Sequence, residues 1–186
     1  MLSADILFDL NIFSHAPLFS ADRPVWSALQ DLKKYMNEFS YPADLFNCLA
    51  DGVAAREHLV VYGGELIDGS QCHIEYGDTL RGELVISRAG NVLEGASLIM
   101  AGAVFQGHRI AIGEGVLVEG GATIKSPTII GHRTEVRQGA YLRGSCLIGD
   151  RCVVGHTTEV KHSVFLDDAK AGHFAYLGDS IIGNNA

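Results

Sequence analysis

The chain has 186 residues, of which 47% are hydrophobic and 19% are charged, a composition that excludes both a disordered chain and a coiled coil. Its net charge of −8 argues against general attraction to nucleic acid or to an anionic membrane. Because no apolar run approaches the ~18 residues of a membrane span and no basic region opens the chain, we expect a cytoplasmic protein.

Residues 1–60 form the first predicted unit, a small helical segment. A helix is expected to begin at Pro24 with Asp22 as its N-cap, because apolar residues follow at helical spacing, namely Val25, Leu29, Leu32, Met36 and Phe39. Tyr41 and Pro42 end this helix, and a second short helical stretch is expected from Ala43 to Ala50. We expect the segment to pack against the rest of the chain.

From Ile74 onward an aliphatic residue recurs at every sixth position, a period typical of a β-helix. A first register comprises Ile74, Leu80, Ile86, Val92, Leu98, Val104 and Ile110. After a two-residue insertion, a second register comprises Ile112, Val118, Ile124, Ile130, Val136, Leu142, Ile148, Val154, Val160 and Leu166. Glycines follow several of these residues, and we expect them to provide an unusual backbone angle at tight corners, at Gly113, Gly131, Gly149 and Gly155.

These repeats predict an all-β fold, a left-handed parallel β-helix over residues 61–186. Three hexapeptides make one triangular coil, and about six coils stack as parallel strands roughly 4.8 Å apart. Flat faces of Val, Leu and Ile also invite self-association.

The 18-residue period also brings three cations onto one face of the predicted coil. Lys125, Arg143 and Lys161 each follow an aliphatic position and are 18 positions apart. Stacked like charges repel, which favours an anion bound between them. In the alternative interpretation, the cations spread into solvent or pair with glutamates such as Glu135 and Glu159.

The last part of the chain carries a specific motif, K-A-G-H-x-x-Y-x-G-D-x-x-I-G, from Lys170 to Gly183, after Thr158-Glu-Val-Lys161. With these residues, the segment from Arg143 onward resembles the acetyltransferase half of bifunctional N-acetylglucosamine-1-phosphate uridyltransferase/glucosamine-1-phosphate acetyltransferases. These bacterial and archaeal enzymes belong to the hexapeptide-repeat transferases, and the resemblance, together with the flat apolar faces, implies a homotrimer.

The resemblance implies a function and a set of site residues. In that family an arginine and a lysine one coil apart, which match Arg143 and Lys161, hold the phosphate and the sugar. The tyrosine that matches Tyr176 lines the pocket, and the histidine that matches His173 is the general base for the acceptor amine. The implied reaction transfers acetyl from acetyl-CoA, as co-substrate, to an amino-sugar 1-phosphate, and Lys125 of the basic face is a further candidate for substrate binding.

The chain also departs from the family. The nucleotidyltransferase half has no counterpart, so uridyl transfer is not expected. The sequence stops at Ala186, where the family continues with the coils that form the acetyl-CoA site. A truncated enzyme without its donor site and a non-catalytic sugar-phosphate-binding or trimerisation module are therefore alternatives.

The histidines and cysteines predict neither a metal site nor a disulfide framework. Carbonic anhydrases of the γ type share the β-helix fold and bind metal through three histidines. Here His108, His132 and His156 are 24 positions apart, which moves each to a different face, and the H-x4-H pair of that family is missing. The cysteines form no CxxC pair and are expected to be reduced packing residues, at Cys48, Cys72, Cys146 and Cys152.

Overall fold

The aliphatic repeats fold into a parallel β-helix in the computed structural model, which describes residues 2–42, 49 and 51–186. Two α-helices lie in the described N-terminal part, α1 (Ala4–Leu7) and α2 (Ser27–Glu38). Antiparallel strands follow, β1 (Leu59–Tyr62), β2 (Glu65–Asp68), β3 (His73–Glu75), β4 (Val85–Arg88) and β5 (Asn91–Val92). The coils come next and occupy the remaining described residues.

Each turn of the β-helix contributes one strand to each of three parallel sheets. Sheet 1 consists of β6 (Ser97–Ile99), β9 (Leu117–Val118), β12 (Glu135–Val136), β15 (Val153–His156) and β18 (Lys170–His173). Sheet 2 consists of β7 (Val104–Gln106), β10 (Thr123–Lys125), β13 (Tyr141–Leu142), β16 (Glu159–Lys161) and β19 (Tyr176–Gly178). Sheet 3 consists of β8 (Ile110–Ile112), β11 (Thr128–Ile130), β14 (Cys146–Ile148), β17 (Ser163–Phe165) and β20 (Ile181–Ile182). The predicted all-β parallel β-helix is confirmed, with five turns instead of about six, and its left-handed sense stays a prediction.

The second predicted register fills the interior of the coil. Its central members are almost inaccessible to solvent and form one core, consisting of Val118, Ile124, Ile130, Val136, Leu142, Ile148, Val154 and Val160. The repeat then shortens by one residue, because Ile148 pairs with Phe165 on the next turn. Leu166, predicted for that interior place, packs outside the coil against the N-terminal segment.

The first predicted register is wrong between Ile74 and Val92. Ile74 lies directly opposite Ile86 in the antiparallel pair of β3 and β4, and the exposed Val92 pairs with Ser87. A spacing of six is a multiple of the two-residue alternation of an ordinary strand, so the sequence does not distinguish the two arrangements. The coils begin at β6, which receives β1 as its antiparallel neighbour.

In the first turn the predicted register is displaced by one residue. Ile99 and Phe105 fill the interior of the coil, whereas the predicted Leu98 and Val104 point to the other side of their strands.

The corner glycines allow successive turns of the coil to stack closely. They do not adopt the unusual backbone angle that the sequence predicts. Gly113, Gly131, Gly149 and Gly155 are absent from the residues with positive φ in the described chain. A Cβ at Gly155 would lie 1.9 Å from the carbonyl oxygen of Gly172 on the next turn, and one at Gly131 would lie 2.5 Å from the Gly149 backbone. These positions therefore need glycine because successive turns approach closely there.

The N-terminal segment contains a shorter helix than predicted. α2 begins at Ser27. The residues just before it form a turn, in which the Ser27 amide donates a hydrogen bond to the Pro24 carbonyl. Trp26 is the N-cap, so the predicted role of Asp22 is wrong. The second predicted stretch, from Ala43 to Ala50, lies outside the described residues except for Leu49. In the described part of the chain, no helix is long and apolar enough to cross a membrane.

α2 packs against the outward face of sheet 3. The strands of this sheet align five apolar side chains in one column, Ala111, Ile129, Leu147, Val164 and Ile181. Buried side chains of the N-terminal segment cover the column, namely Phe13, Leu18, Ala28, Leu32 and Met36. The Asp9 amide also donates to Oδ1 of Asn184 at 3.0 Å. The chain therefore covers one of its own flat apolar faces.

Two buried thiols lie inside the coil. Cys146 and Cys152 are fully buried, and burial raises the pKa of each to about 12. Their Sγ atoms lie 3.4 Å and 3.1 Å from the carbonyl oxygens of Val160 and Leu166 on the next turn. Both are therefore unreactive packing residues, whereas Cys48 lies outside the described residues.

Candidate functional site

The three predicted cations lie side by side on the outward face of sheet 2. Ile124 pairs with Leu142, and Leu142 pairs with Val160, all pointing into the coil. One residue further along each strand, Lys125, Arg143 and Lys161 form a column facing outward. The 18-residue period therefore places these three cations next to one another, as the sequence predicts.

Carboxylates pair with two of these cations. Nη1 of Arg143 lies 2.6 Å from Oε1 of Glu159, and Nζ of Lys161 lies 3.5 Å from Oδ2 of Asp179. The hydrogen bond to Glu159 raises the pKa of Arg143, so this guanidinium stays charged. Because the cations are partly neutralised, repulsion within the column is weaker than expected, and pairing with Glu159 agrees with the alternative interpretation. Glu135, the other predicted partner, pairs instead with Arg137 on sheet 1.

Arg143 and Lys161 line a cavity of about 250 Å³ at the corner where sheet 2 passes into sheet 3. Lys33 of α2 lines the same cavity, together with Ser126, Pro127, Gly144, Ser145, His162 and Asp179. The cavity thus combines three cationic side chains, one carboxylate and two hydroxyl groups. Guanidinium, ammonium and hydroxyl donors suit a small oxyanion such as phosphate.

Two residues that sequence reasoning did not select form a hydrogen-bonded pair in this cavity. Nδ1 of His162 lies 2.7 Å from Oδ1 of Asp179. This hydrogen bond is the main reason why the pKa of Asp179 is lowered, so the carboxylate stays ionised near neutral pH. Nε2 of His162 is buried and has no hydrogen-bond partner among the described residues. The position of His162 directly after Lys161 is the signal that could have indicated it.

Tyr176 lies on the same face as the cation column. It pairs with Glu159 in the sheet register, and two residues later Gly178 pairs with Lys161. A Cβ at Gly178 would lie 2.5 Å from the Tyr176 hydroxyl, so the tyrosine ring extends over Gly178 toward the column. The side chain is 60% exposed. The structure therefore brings Arg143, Lys161 and Tyr176 to one face.

Lys125 belongs to the column but is not among the residues that line the cavity. Its Nζ lies 5.3 Å from the centroid of the Tyr141 ring, a cation–π contact. This contact gives Lys125 a local partner and directs its ammonium group to the ring.

His173 lies at the opposite edge of sheet 2 from the cavity, at the corner where sheet 1 passes into sheet 2. It ends β18 and pairs with His156 in the register. Its ring contacts Phe174, with centroids 5.6 Å apart, and Phe174 also contacts His156. The structure therefore does not place His173 among the residues lining the cavity, and its role as a base stays a prediction.

The histidines of the metal alternative lie at three different corners of the coil. His108 follows β7 of sheet 2, His132 follows β11 of sheet 3, and His156 ends β15 of sheet 1. Within residues 2–42, 49 and 51–186, no group of three or more His, Cys, Asp or Glu side chains is arranged to hold a metal ion.

No protein-family model matches the chain, and no curated protein is significantly similar to it. The resemblance to sugar-phosphate acetyltransferases therefore rests on the motif residues and on the β-helix fold that carries them.

Proposed function

We propose that this chain binds an amino-sugar phosphate at the cavity and transfers an acetyl group from acetyl-CoA to its amine. The observation that carries the proposal is the convergence of Arg143 and Lys161 on one small cavity with the hydroxyls of Ser126 and Ser145. A guanidinium has five N–H donors, so Arg143 can bond Glu159 through one nitrogen and still donate to a phosphate.

The size of the cavity favours a small ligand. Its volume of about 250 Å³ lies below the ~300–1,000 Å³ typical of sites for drug-sized molecules. A phosphate with one sugar ring suits this space better than a nucleotide sugar, which carries a base and a second sugar. The substrate class is therefore a monosaccharide phosphate.

The catalytic step of the proposal assigns His173 as the general base. In this proposal the phosphate is bound by Arg143 and Lys161, and the sugar ring lies on the Tyr176 side of the cavity. The ammonium first loses one proton to solvent. The amine nitrogen then forms a bond to the thioester carbonyl carbon while His173 accepts its second proton, the carbon–sulfur bond breaks, and the thiolate of coenzyme A leaves and takes up the proton from His173. A homotrimer remains part of the proposal, and the covered face of sheet 3 leaves sheets 1 and 2 for its contacts.

Binding without turnover is the second candidate function. The location of His173 favours it, because the cations would then hold an anion in a cavity whose lining does not include the assigned base. A purely binding protein would retain affinity for the sugar phosphate and release no thiol.

Thiol release from acetyl-CoA in the presence of glucosamine 1-phosphate tests the proposal. We expect release by the wild-type chain, a loss of at least about 100-fold in His173→Ala, and nearly normal release in His156→Ala. His156 is the matched control because it is an exposed histidine paired with His173 in the same sheet.

The other outcomes separate the two candidates. Equal rates in His173→Ala and His156→Ala would remove His173 as the base. Binding of glucosamine 1-phosphate without thiol release would establish the second candidate, and absence of both would contradict each function.

A further inference from the structure

Lys33 reaches the cavity because packing fixes the orientation of α2. The neighbouring Leu32 and, one turn later, Met36 are completely buried against sheet 3. This anchoring leaves Lys33 at the edge of the packed face, where it lines the cavity with Arg143 and Lys161. The cavity is thus built from two regions of the chain that are far apart in sequence, with Lys33 on one side and residues from Ser126 onward on the other.

The neighbouring Lys34 is different in each of these respects. It is 78% exposed, its Nζ lies 4.0 Å from Oε1 of Glu38 one turn later, and it is not a lining residue. The two lysines share the same helix, charge and side-chain length. Lys34 therefore provides a matched control for the role of Lys33.

Among the described residues, no carboxylate pairs with Lys33. Arg143 pairs with Glu159 and Lys161 pairs with Asp179, whereas Lys33 forms no ion pair with any residue in the described part of the chain. The residues that line the cavity include three cationic side chains and one carboxylate, so positive charge is in excess there. Lys33 supplies this excess, and a flexible ammonium is well suited to meet a phosphate oxygen.

We infer that Lys33 completes a phosphate subsite with Arg143 and Lys161, so that the N-terminal segment forms part of the ligand site. The inference rests on the proposed function, since it assigns a further residue and a ligand class to the same cavity. The ligand is the phosphate monoester of a single sugar, bound between α2 on one side and the coil corner on the other.

The position of Lys33 also couples ligand binding to the docking of α2. A ligand held simultaneously by α2 and the coil stabilises their contact, because it binds only when both are in place. Backbone amides of α2 should therefore exchange more slowly with solvent deuterium when glucosamine 1-phosphate is bound. A ligand held by the coil alone would leave their exchange unchanged.

Isothermal titration of glucosamine 1-phosphate into the wild-type, Lys33→Ala and Lys34→Ala chains tests the inference, with glucosamine as the phosphate-free control. We expect Lys33→Ala to weaken binding about tenfold, Lys33→Arg to retain most of the affinity, and Lys34→Ala to match the wild type. Because Lys33 is exposed, all variants should keep the wild-type melting temperature.

The outcomes distinguish the inference from the proposed function. Wild-type binding with equal affinities in Lys33→Ala and Lys34→Ala overturns the role of Lys33 and leaves the proposed function standing. Equal binding of glucosamine and glucosamine 1-phosphate overturns the phosphate subsite. No binding of glucosamine 1-phosphate by the wild type overturns both.

Discussion

Sheets 2 and 3 are built from the same turns of the β-helix, but their outward surfaces differ in polarity. The outward column of sheet 3 is apolar and lies under the N-terminal segment, whereas sheet 2 presents Lys125, Arg143, Lys161 and Tyr176. Both sheets use the same kind of aliphatic interior, which is what the repeat specifies. The difference lies entirely in the residues that point outward. The repeat thus determines the coil, and the outward residues determine whether a face packs or binds.

The largest effect should come from truncating the covered face. Leu147 is completely buried between sheet 3 and the N-terminal segment, so Leu147→Ala should lower the free energy of unfolding by about 2–5 kcal/mol. Tyr176→Ala on the exposed face of sheet 2 should cost less than about 1 kcal/mol. Urea denaturation measures both values. Similar losses in the two variants would contradict the distinction between a packing face and a binding face.

A smaller effect should distinguish two members of the basic column of sheet 2 by their contribution to ligand affinity. Arg143→Ala should weaken binding of glucosamine 1-phosphate by about 1.5–3 kcal/mol, since a charged hydrogen-bond donor is lost from the cavity. Lys125→Ala should change the affinity by less than about 0.5 kcal/mol, because Lys125 contacts Tyr141 and does not line the cavity. Titration calorimetry compares the two. If both variants lose the same affinity, the whole column and not the cavity holds the ligand.

The smallest effect concerns the pH dependence of the covered face. Burial lowers the pKa of His15, whose Nδ1 lies 2.8 Å from the Tyr35 hydroxyl, although the charge of Asp150 opposes this shift. The unfolded chain therefore binds this proton more readily than the folded one. The stabilisation from neutral His15 is present above pH 6.5 and is lost as the pH falls below it toward the lower pKa of the folded state.

Chemical denaturation at pH 7.5 and 5.5 measures this contribution. The fall in stability on acidification should be smaller in His15→Asn than in the wild type. The exposed-site control His173→Asn should retain the wild-type fall. An unchanged fall in His15→Asn would show that His15 does not contribute to the pH dependence.

The sequence predicts the interior of the coil far better than its outer parts. Val118 to Val160 follow a repeat whose neighbours are set by the period alone, and the structure confirms their burial. The same period is ambiguous near Ile74 and Ile86, where ordinary antiparallel pairing also satisfies it. The shortened turn before Phe165 is equally hard to foresee. The aromatic Phe165 takes the interior position, although the aliphatic Leu166 still fits the predicted period.

The candidate site is likewise only partly predictable from the sequence. The period predicts that Arg143 and Lys161 are neighbours on one face. The placement of Lys33 depends on how α2 packs against sheet 3, which no local pattern specifies. The catalytic assignment of His173, acetyl transfer and the homotrimer stay predictions.

The contacts of the N-terminal segment impose an order on folding during synthesis. α2 leaves the ribosome before any strand of sheet 3 exists, yet its partners extend to Val164 and Leu166, and Asp9 bonds to Asn184. Contacts between residues so distant in sequence form late and slow folding. The apolar side of α2 therefore stays exposed to solvent until the later turns of the coil form. Apolar surface that is exposed in this interval makes the nascent chain prone to aggregation.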